Sequence, residues 1–120
     1  MLTIVSGGSD GSASFNVPQG RRWRILSISG VVLKSGNSSI SVDVNFNGSS
    51  NEPIFRRIIA VSPDLVGLRF NACIGLTTRL EGDIASDGLP DLTLPGLSAI
   101  SINPGGGSFV PPVTMLVDEN

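Results

Sequence analysis

The chain has 120 residues with a formal net charge of −2, no histidine and a single cysteine, Cys73. This length fits one domain, and the histidine and cysteine counts exclude an internal disulfide, a Cys/His zinc site and Ser-His-Asp or Cys-His catalysis. Charged residues make up 15% of the chain, against about 25% in ordinary soluble domains, so we expect other subunits to cover part of its surface.

The first segment, MLTIVSGGSDGS, joins a short apolar tip, Leu2, Ile4 and Val5, to a Gly/Ser run that is flexible by composition. We expect residues 1–11 to form an N-terminal arm whose tip pairs with the edge of a neighbouring subunit. The alternative is that residues 2–5 form the first strand of the chain's own sheet. The segment has no basic n-region, so a signal peptide is not expected, and no apolar run approaches the ~20 residues of a membrane span.

The remaining residues, 12–120, are predicted to form a single domain of short antiparallel strands. Glycine, proline, serine and asparagine clusters punctuate the whole length, and runs of strand length lie between them, which is typical of a sandwich or barrel. No segment shows a sustained 3.6-residue apolar period, so we expect little or no helix. The predicted strands are 14–17, 22–33, 39–46, 54–61, an alternation over 66–80 with a bend or bulge at Gly75, 98–102 and 113–117.

The stretch VPQGRRWRILSISG has the densest group of charged and aromatic residues in the chain, because Arg21, Arg22 and Arg24 surround the only tryptophan, Trp23. An acidic chain with few other aromatic residues lacks the basic face that phosphate binding needs, so nucleic acid is not an expected partner. We interpret Trp23 as an inward residue at the start of a strand, after a turn in which Gly20 takes a positive φ. The apolar alternation then changes phase, which predicts either a bulge or a strand covered on both faces.

The arginines raise the question of their counter-ions. Arg22 and Arg24 would lie side by side on one sheet face, where like charges repel unless they are paired, and Arg56 and Arg57 form a second basic pair. We expect carboxylates of a neighbouring chain to pair with them, since arginine is favoured in interface ion pairs. The acidic segment EGDIASDG, residues 81–88, is a candidate partner. Its spacing does not follow the EF-hand loop, so no metal site is predicted.

Two motifs resemble those of small β-rich virion proteins of tailed bacteriophages. The first is PQGRRWRILS, residues 18–27, and the second is LPDLTLPG, residues 89–96, which precedes a hydrophobic strand and a closing acidic strand. The resemblance follows the order of features over roughly residues 12–119. It implies a jelly-roll or sandwich domain, usually trimeric, that assembles on a virion as a capsid cement (decoration) protein.

From these observations we expect a non-enzymatic virion protein, a homotrimer on the capsid exterior that stabilises the lattice of the major capsid protein and is made in a bacterial cytoplasm. The alternative is a phage tail or appendage sandwich that binds a host receptor or a glycan. No cofactor, metal, nucleic acid or membrane partner is expected. The expected partner-binding residues are the apolar tip and the two arginine groups, namely Leu2, Ile4, Val5, Arg21, Arg22, Arg24, Arg56 and Arg57.

Overall fold

A computed structural model describes residues 1–8, 13–34, 39–49, 51–61, 67, 69–80, 88–104 and 107–120. These residues form strands joined by turns and contain no helix. The strands are β1 (Leu2–Gly7), β2 (Ala13–Asn16), β3 (Trp23–Lys34), β4 (Ser39–Phe46), β5 (Pro53–Val61), β6 (Arg69–Cys73), β7 (Leu76–Leu80), β8 (Thr93–Leu94), β9 (Ser98–Asn103) and β10 (Ser108–Glu119).

The strands form two antiparallel sheets that enclose one core. The larger sheet has the order β1-β10-β3-β6-β7 with β8 beside β3, and the smaller sheet has the order β2-β9-β4-β5. The predicted all-β antiparallel sandwich is therefore confirmed. The finer prediction of a jelly roll stays a prediction.

The clearest predicted strand shows how the sequence pattern builds the core. In β4, Ile40, Val42 and Val44 are fully buried, while the alternating serine, aspartate and asparagine side chains lie toward the outer face. This is the period-2 alternation of a strand with one wet face. The following Asn47-Gly48 has φ values of 55° and 70°, as the hairpin turn predicted by this dipeptide requires.

Strand β3 changes phase because it contains a bulge. Val117 of β10 pairs with Ile25, and the adjacent Leu116 pairs with Ser27, so Leu26 is an extra residue without an opposite partner. The bulge allows Ile25 and Ile28 both to point into the core, where they are 4% and 0% exposed. The first of the two interpretations of this phase change is thus confirmed.

The long alternation ends where glycine permits a reversal. Gly75, with φ of 69°, separates β6 from β7, and the two strands pair with each other. The predicted bend or bulge at Gly75 is therefore the turn of a hairpin. Val66 and Leu68, at the start of that alternation, lie outside the described residues.

The predicted N-terminal arm is an edge strand of the chain's own larger sheet. Residues Leu2–Gly7 pair with β10 in continuous register from Leu2 opposite Asp118 to Gly7 opposite Val113. The alternative, that residues 2–5 form the first strand of the chain's own sheet, is therefore correct, because β10 supplies the backbone partners within the same chain. Residues 9–12 of the predicted hinge lie outside the described part.

Candidate association site

Trp23 is a core residue of β3 whose side chain also binds β10. Its side chain is 5% exposed, and its indole N–H donates a hydrogen bond of 2.7 Å to Oε2 of Glu119 on β10. The preceding turn closes through Arg21 N–H and the carbonyl of Pro18, with Gly20 at a φ of 82°. The motif that surrounds the tryptophan therefore encodes a turn and the start of a buried strand.

Arg24 finds its counter-ion within the chain. Its Nε and Nη2 lie 2.6 and 2.9 Å from the two carboxylate oxygens of Asp91, a bidentate arrangement on the surface. The hydrogen bond and the charge of Asp91 raise the pKa of Arg24, and the hydrogen bond from Arg24 lowers the pKa of Asp91. Asp91 belongs to the LPDLTLPG motif, so this motif supplies a partner for the arginine cluster.

Arg56 and Arg57 lie on the smaller sheet, whereas Arg24 lies on the larger one. Arg56 Nε is 3.2 Å from Oδ1 of Asp43, its opposite neighbour on the smaller sheet. Arg57 lies opposite Val42 and is half-buried, while Arg21 and Arg22 are exposed at one end of the sandwich. The arginines therefore do not form one basic surface. Residues 81–87 of the predicted acidic partner lie outside the described part.

The apolar residues of β1 divide between the two faces of the larger sheet. Val5 packs against the core, whereas Leu2 and Ile4 point outward and are 65% and 69% exposed. Ile4 lies opposite half-buried Leu116 of β10, whose side chain shares the same outer face. We call Leu2, Ile4 and Leu116 the β1 patch.

The hydrogen-bond phase of β1 leaves its outward residues with backbone groups that pair with no strand among the described residues. Met1 and Glu119 exchange two backbone hydrogen bonds, each of 2.9 Å. Hydrogen-bonded pairs alternate along an antiparallel ladder, so the N–H and C=O groups of Thr3, Val5 and Gly7 face β10. The corresponding groups of Leu2, Ile4 and Ser6 point away from the sheet.

The edge strands of the smaller sheet carry features that discourage pairing. Strand β5 begins with Pro53, carries Arg56 and Arg57, and has two register irregularities against β4. Strand β2 has four residues. Charge, proline, bulges and short length are the devices by which natural sheets protect an edge.

Strand β1 has none of these devices. Its sequence, LTIVSG, contains no charged residue and no proline, and its ladder with β10 shows no register shift. A continuous, uncharged edge with exposed apolar side chains is a surface onto which another strand adds readily. Strand β7 is the other edge of the larger sheet, and its side chains lie outside the described part of the chain.

A groove lies beside the β1 patch on the same outer face. It encloses about 420 Å³ where β10 places three residues, 111–113, opposite the single Gly30 of β3. The only sequence feature at this bulge is the adjacent pair Pro111 and Pro112, which lack backbone N–H groups. The groove is lined by Ser29, Gly30, Val31, Arg69, Phe70, Asn71, Val110, Pro112 and Thr114.

No family model and no curated protein matches this chain. Among solved structures it is similar to the nucleoplasmin-type NLP core of Drosophila, which is described in terms of pentamer formation and histone binding. The identity is 16%, the match covers 100% of this chain and 98% of that chain, and the TM-score is 0.45. At these values the likeness transfers no function to this chain.

The prediction of a capsid cement protein, with its tail or appendage alternative, is withdrawn: no comparison points to a virion protein, and the likeness found is to a protein described by histone binding. The predicted partners are withdrawn with it, namely the major capsid protein, the homotrimer and the exclusion of nucleic acid. The physical reason lies in the motifs. PQGRRWRILS forms a turn and a buried strand start, and LPDLTLPG supplies Asp91 and the buried Leu94, so both motifs encode the sandwich and not a partner.

No helix that could cross a membrane occurs in the part of the chain that the structure describes. Within that same part, no group of three or more His, Cys, Asp or Glu side chains is placed to hold a metal ion. Cys73 is half-buried on the outer face of β6, with its Sγ 3.6 Å from Oδ1 of Asn71.

Proposed function

We propose that this chain is a non-catalytic association module that binds an extended strand of another polypeptide along the β1 edge. One observation carries the proposal. At Leu2 and Ile4 an exposed apolar side chain and outward-pointing backbone groups occur at the same residues. Addition of a strand to a sheet edge uses both features, because the backbone hydrogen bonds give affinity and the alternate side chains give specificity.

The contrast between edges supports this site over other parts of the sandwich. The edge strands β2 and β5 are short or carry arginine and proline, whereas β1 is continuous and uncharged. A monomeric protein would gain nothing from an open edge, since it exposes the chain to unwanted pairing. An open edge of this kind is therefore best explained by a strand that covers it.

A non-catalytic role fits the way three of the described carboxylates are used. Asp91 binds Arg24, Asp43 binds Arg56, and Glu119 accepts the indole N–H of Trp23. Each of these acidic groups stabilises the fold or neutralises an arginine. A general base needs a carboxylate held within reach of a substrate proton, and these three are engaged elsewhere.

The test is hydrogen exchange of the backbone amides with and without an added strand, in a solution dilute enough for the chain to be monomeric. A synthetic six-residue peptide of alternating apolar and polar residues, uncharged in its centre, serves as the probe. We expect it to slow exchange at Leu2, Ile4 and Ser6 and to leave the β5 amides unchanged. Ile4→Pro removes an outward N–H without breaking the ladder to β10, so this variant should fold and lose the protection. Protection that survives in Ile4→Pro, or that appears at β5, would contradict the proposal.

A further inference from the structure

We infer that the strand that covers β1 is the β1 strand of a second copy, paired antiparallel about a two-fold axis at Ile4. This inference rests on the proposed function and names the partner of that same edge. The observations that carry it are the hydrogen-bond phase of β1, its lack of charge and the position of its apolar side chains.

The hydrogen-bond phase selects one register for two copies of β1. The residues with outward backbone groups are Leu2, Ile4 and Ser6, which are evenly spaced about Ile4. An antiparallel pair with Ile4 opposite Ile4 places Leu2 opposite Ser6, so every outward group on each strand meets an outward group on the other. A shift of two residues in either direction leaves one of these residues on each strand without a partner in the pair.

The side chains are compatible with the same register. Residues directly opposite each other in an antiparallel pair share one face of the sheet. Ile4 already lies beside Leu116 in its own chain. The pairing therefore creates a continuous apolar row of Leu116, Ile4, and the Ile4 and Leu116 side chains of the second copy, with Leu2 at each side.

Charge also favours a second copy of the same strand. Like charges directly opposite one another destabilise a strand pair, and two identical strands bring like residues together near the axis. Strand β1 carries no charged residue, so the two copies meet without repulsion. Strand β5, with Arg56 and Arg57, would place arginines close to arginines in the equivalent arrangement.

Cysteine cross-linking in a Cys73→Ser background tests the register. Residues opposite one another in a hydrogen-bonded antiparallel pair have Cα atoms about 5.5 Å apart, within the range for a disulfide. Ile4→Cys should therefore give a covalent dimer under mild oxidation. Leu2→Cys alone should not, whereas a mixture of Leu2→Cys and Ser6→Cys chains should. Sedimentation equilibrium of the unmodified protein should show a dimer, and Ile4→Lys should give a folded monomer.

The outcomes separate this inference from the proposed function. A wild-type chain that is monomeric, and that gives no Ile4→Cys cross-link, overturns the inference. If that monomer still protects β1 amides when the synthetic strand is added, the proposed function stands; if it does not, both fail. A dimer that survives Ile4→Lys overturns the use of β1, and a dimer that cross-links through Leu2→Cys alone overturns the register.

Discussion

Trp23 contributes both apolar burial and a hydrogen bond at one position. Its ring lies in the core, and its N–H reaches Glu119 at the end of β10. Truncation to Ala leaves a cavity and an acceptor without its donor. We expect Trp23→Ala to lower the free energy of unfolding by about 3–5 kcal/mol, measured by urea denaturation. Arg22→Ala, at the exposed neighbour, is the matched control and should change stability little. A Trp23→Ala protein as stable as the control would show that the ring is not a core element.

Gly30 is a position where the core leaves no room for a side chain. A Cβ at this residue would lie 3.0 Å from Cε1 and 3.1 Å from Cζ of Phe70, and 3.4 Å from Val113. The Phe70 ring is buried and packs at 5.5 Å from the Phe109 ring, so it has little freedom to move.

We therefore expect Gly30→Ala to destabilise the protein by about 1–3 kcal/mol through overpacking. Thermal unfolding of Gly30→Ala beside Ser29→Ala, which changes the outward neighbour, provides the comparison. Equal melting temperatures for the two variants would mean that Phe70 relaxes without cost.

At the scale of elements, the Arg24–Asp91 pair connects β3 with the segment that leads into β8. Arg24 lowers the pKa of Asp91 in the folded chain, so the pair stabilises the fold above the unfolded pKa of about 3.9 and the effect is lost as pH falls through the folded value. Wild type should thus be more stable than Asp91→Asn at neutral pH, with a difference that disappears in acid.

Chemical denaturation of both proteins across this pH range measures the effect. Because the pair is exposed, we expect the difference in the free energy of unfolding to be small. It should decrease further in about 1 M salt, where the Debye screening length is ~3 Å. A difference that grows on acidification would assign the effect to another group.

Much of the fold could be predicted because strand periodicity and turn residues are local signals. The alternation predicted strand β4, the Asn47-Gly48 dipeptide predicted a turn, and the phase change in β3 predicted a bulge as one of two interpretations; the structure has all three. The two-residue strand β8 was missed because Thr93–Leu94 is too short to show a period. Its pairing with Trp23 and Arg24 depends on the tertiary fold.

The candidate site was predictable only in part. The apolar pattern of Leu2, Ile4 and Val5 indicated an association segment, but not that Val5 packs inward while the other two remain exposed. The partner of β1 within the chain is β10, whose position no local pattern shows. The arginines were expected to meet carboxylates of another chain, whereas Arg24 and Arg56 bind Asp91 and Asp43 of the same chain.

At the scale of the whole molecule, pairing through β1 has a defined end point. A two-fold contact uses the same surface on both chains, so it closes at two copies and does not propagate into a fibre. Association that accompanies folding also makes the apparent stability depend on concentration.

We expect the melting temperature of the wild type to rise over a roughly hundredfold increase in protein concentration, as mass action requires. The melting temperature of Ile4→Lys should stay constant over the same range. Calorimetry at several concentrations measures both. A wild-type melting temperature that does not change with concentration would exclude coupling between folding and association.

The pairing of β1 with β10 also determines when the edge is built. Contacts between segments so distant in sequence form slowly, and sheets dominated by them fold in milliseconds to seconds. Strand β10 lies between β1 and β3, so β1 has no place in the sheet until residues 108–119 are available. During synthesis the apolar β1 segment therefore has no strand partner in the chain until β10 has been made, and the proposed binding edge is built only after that.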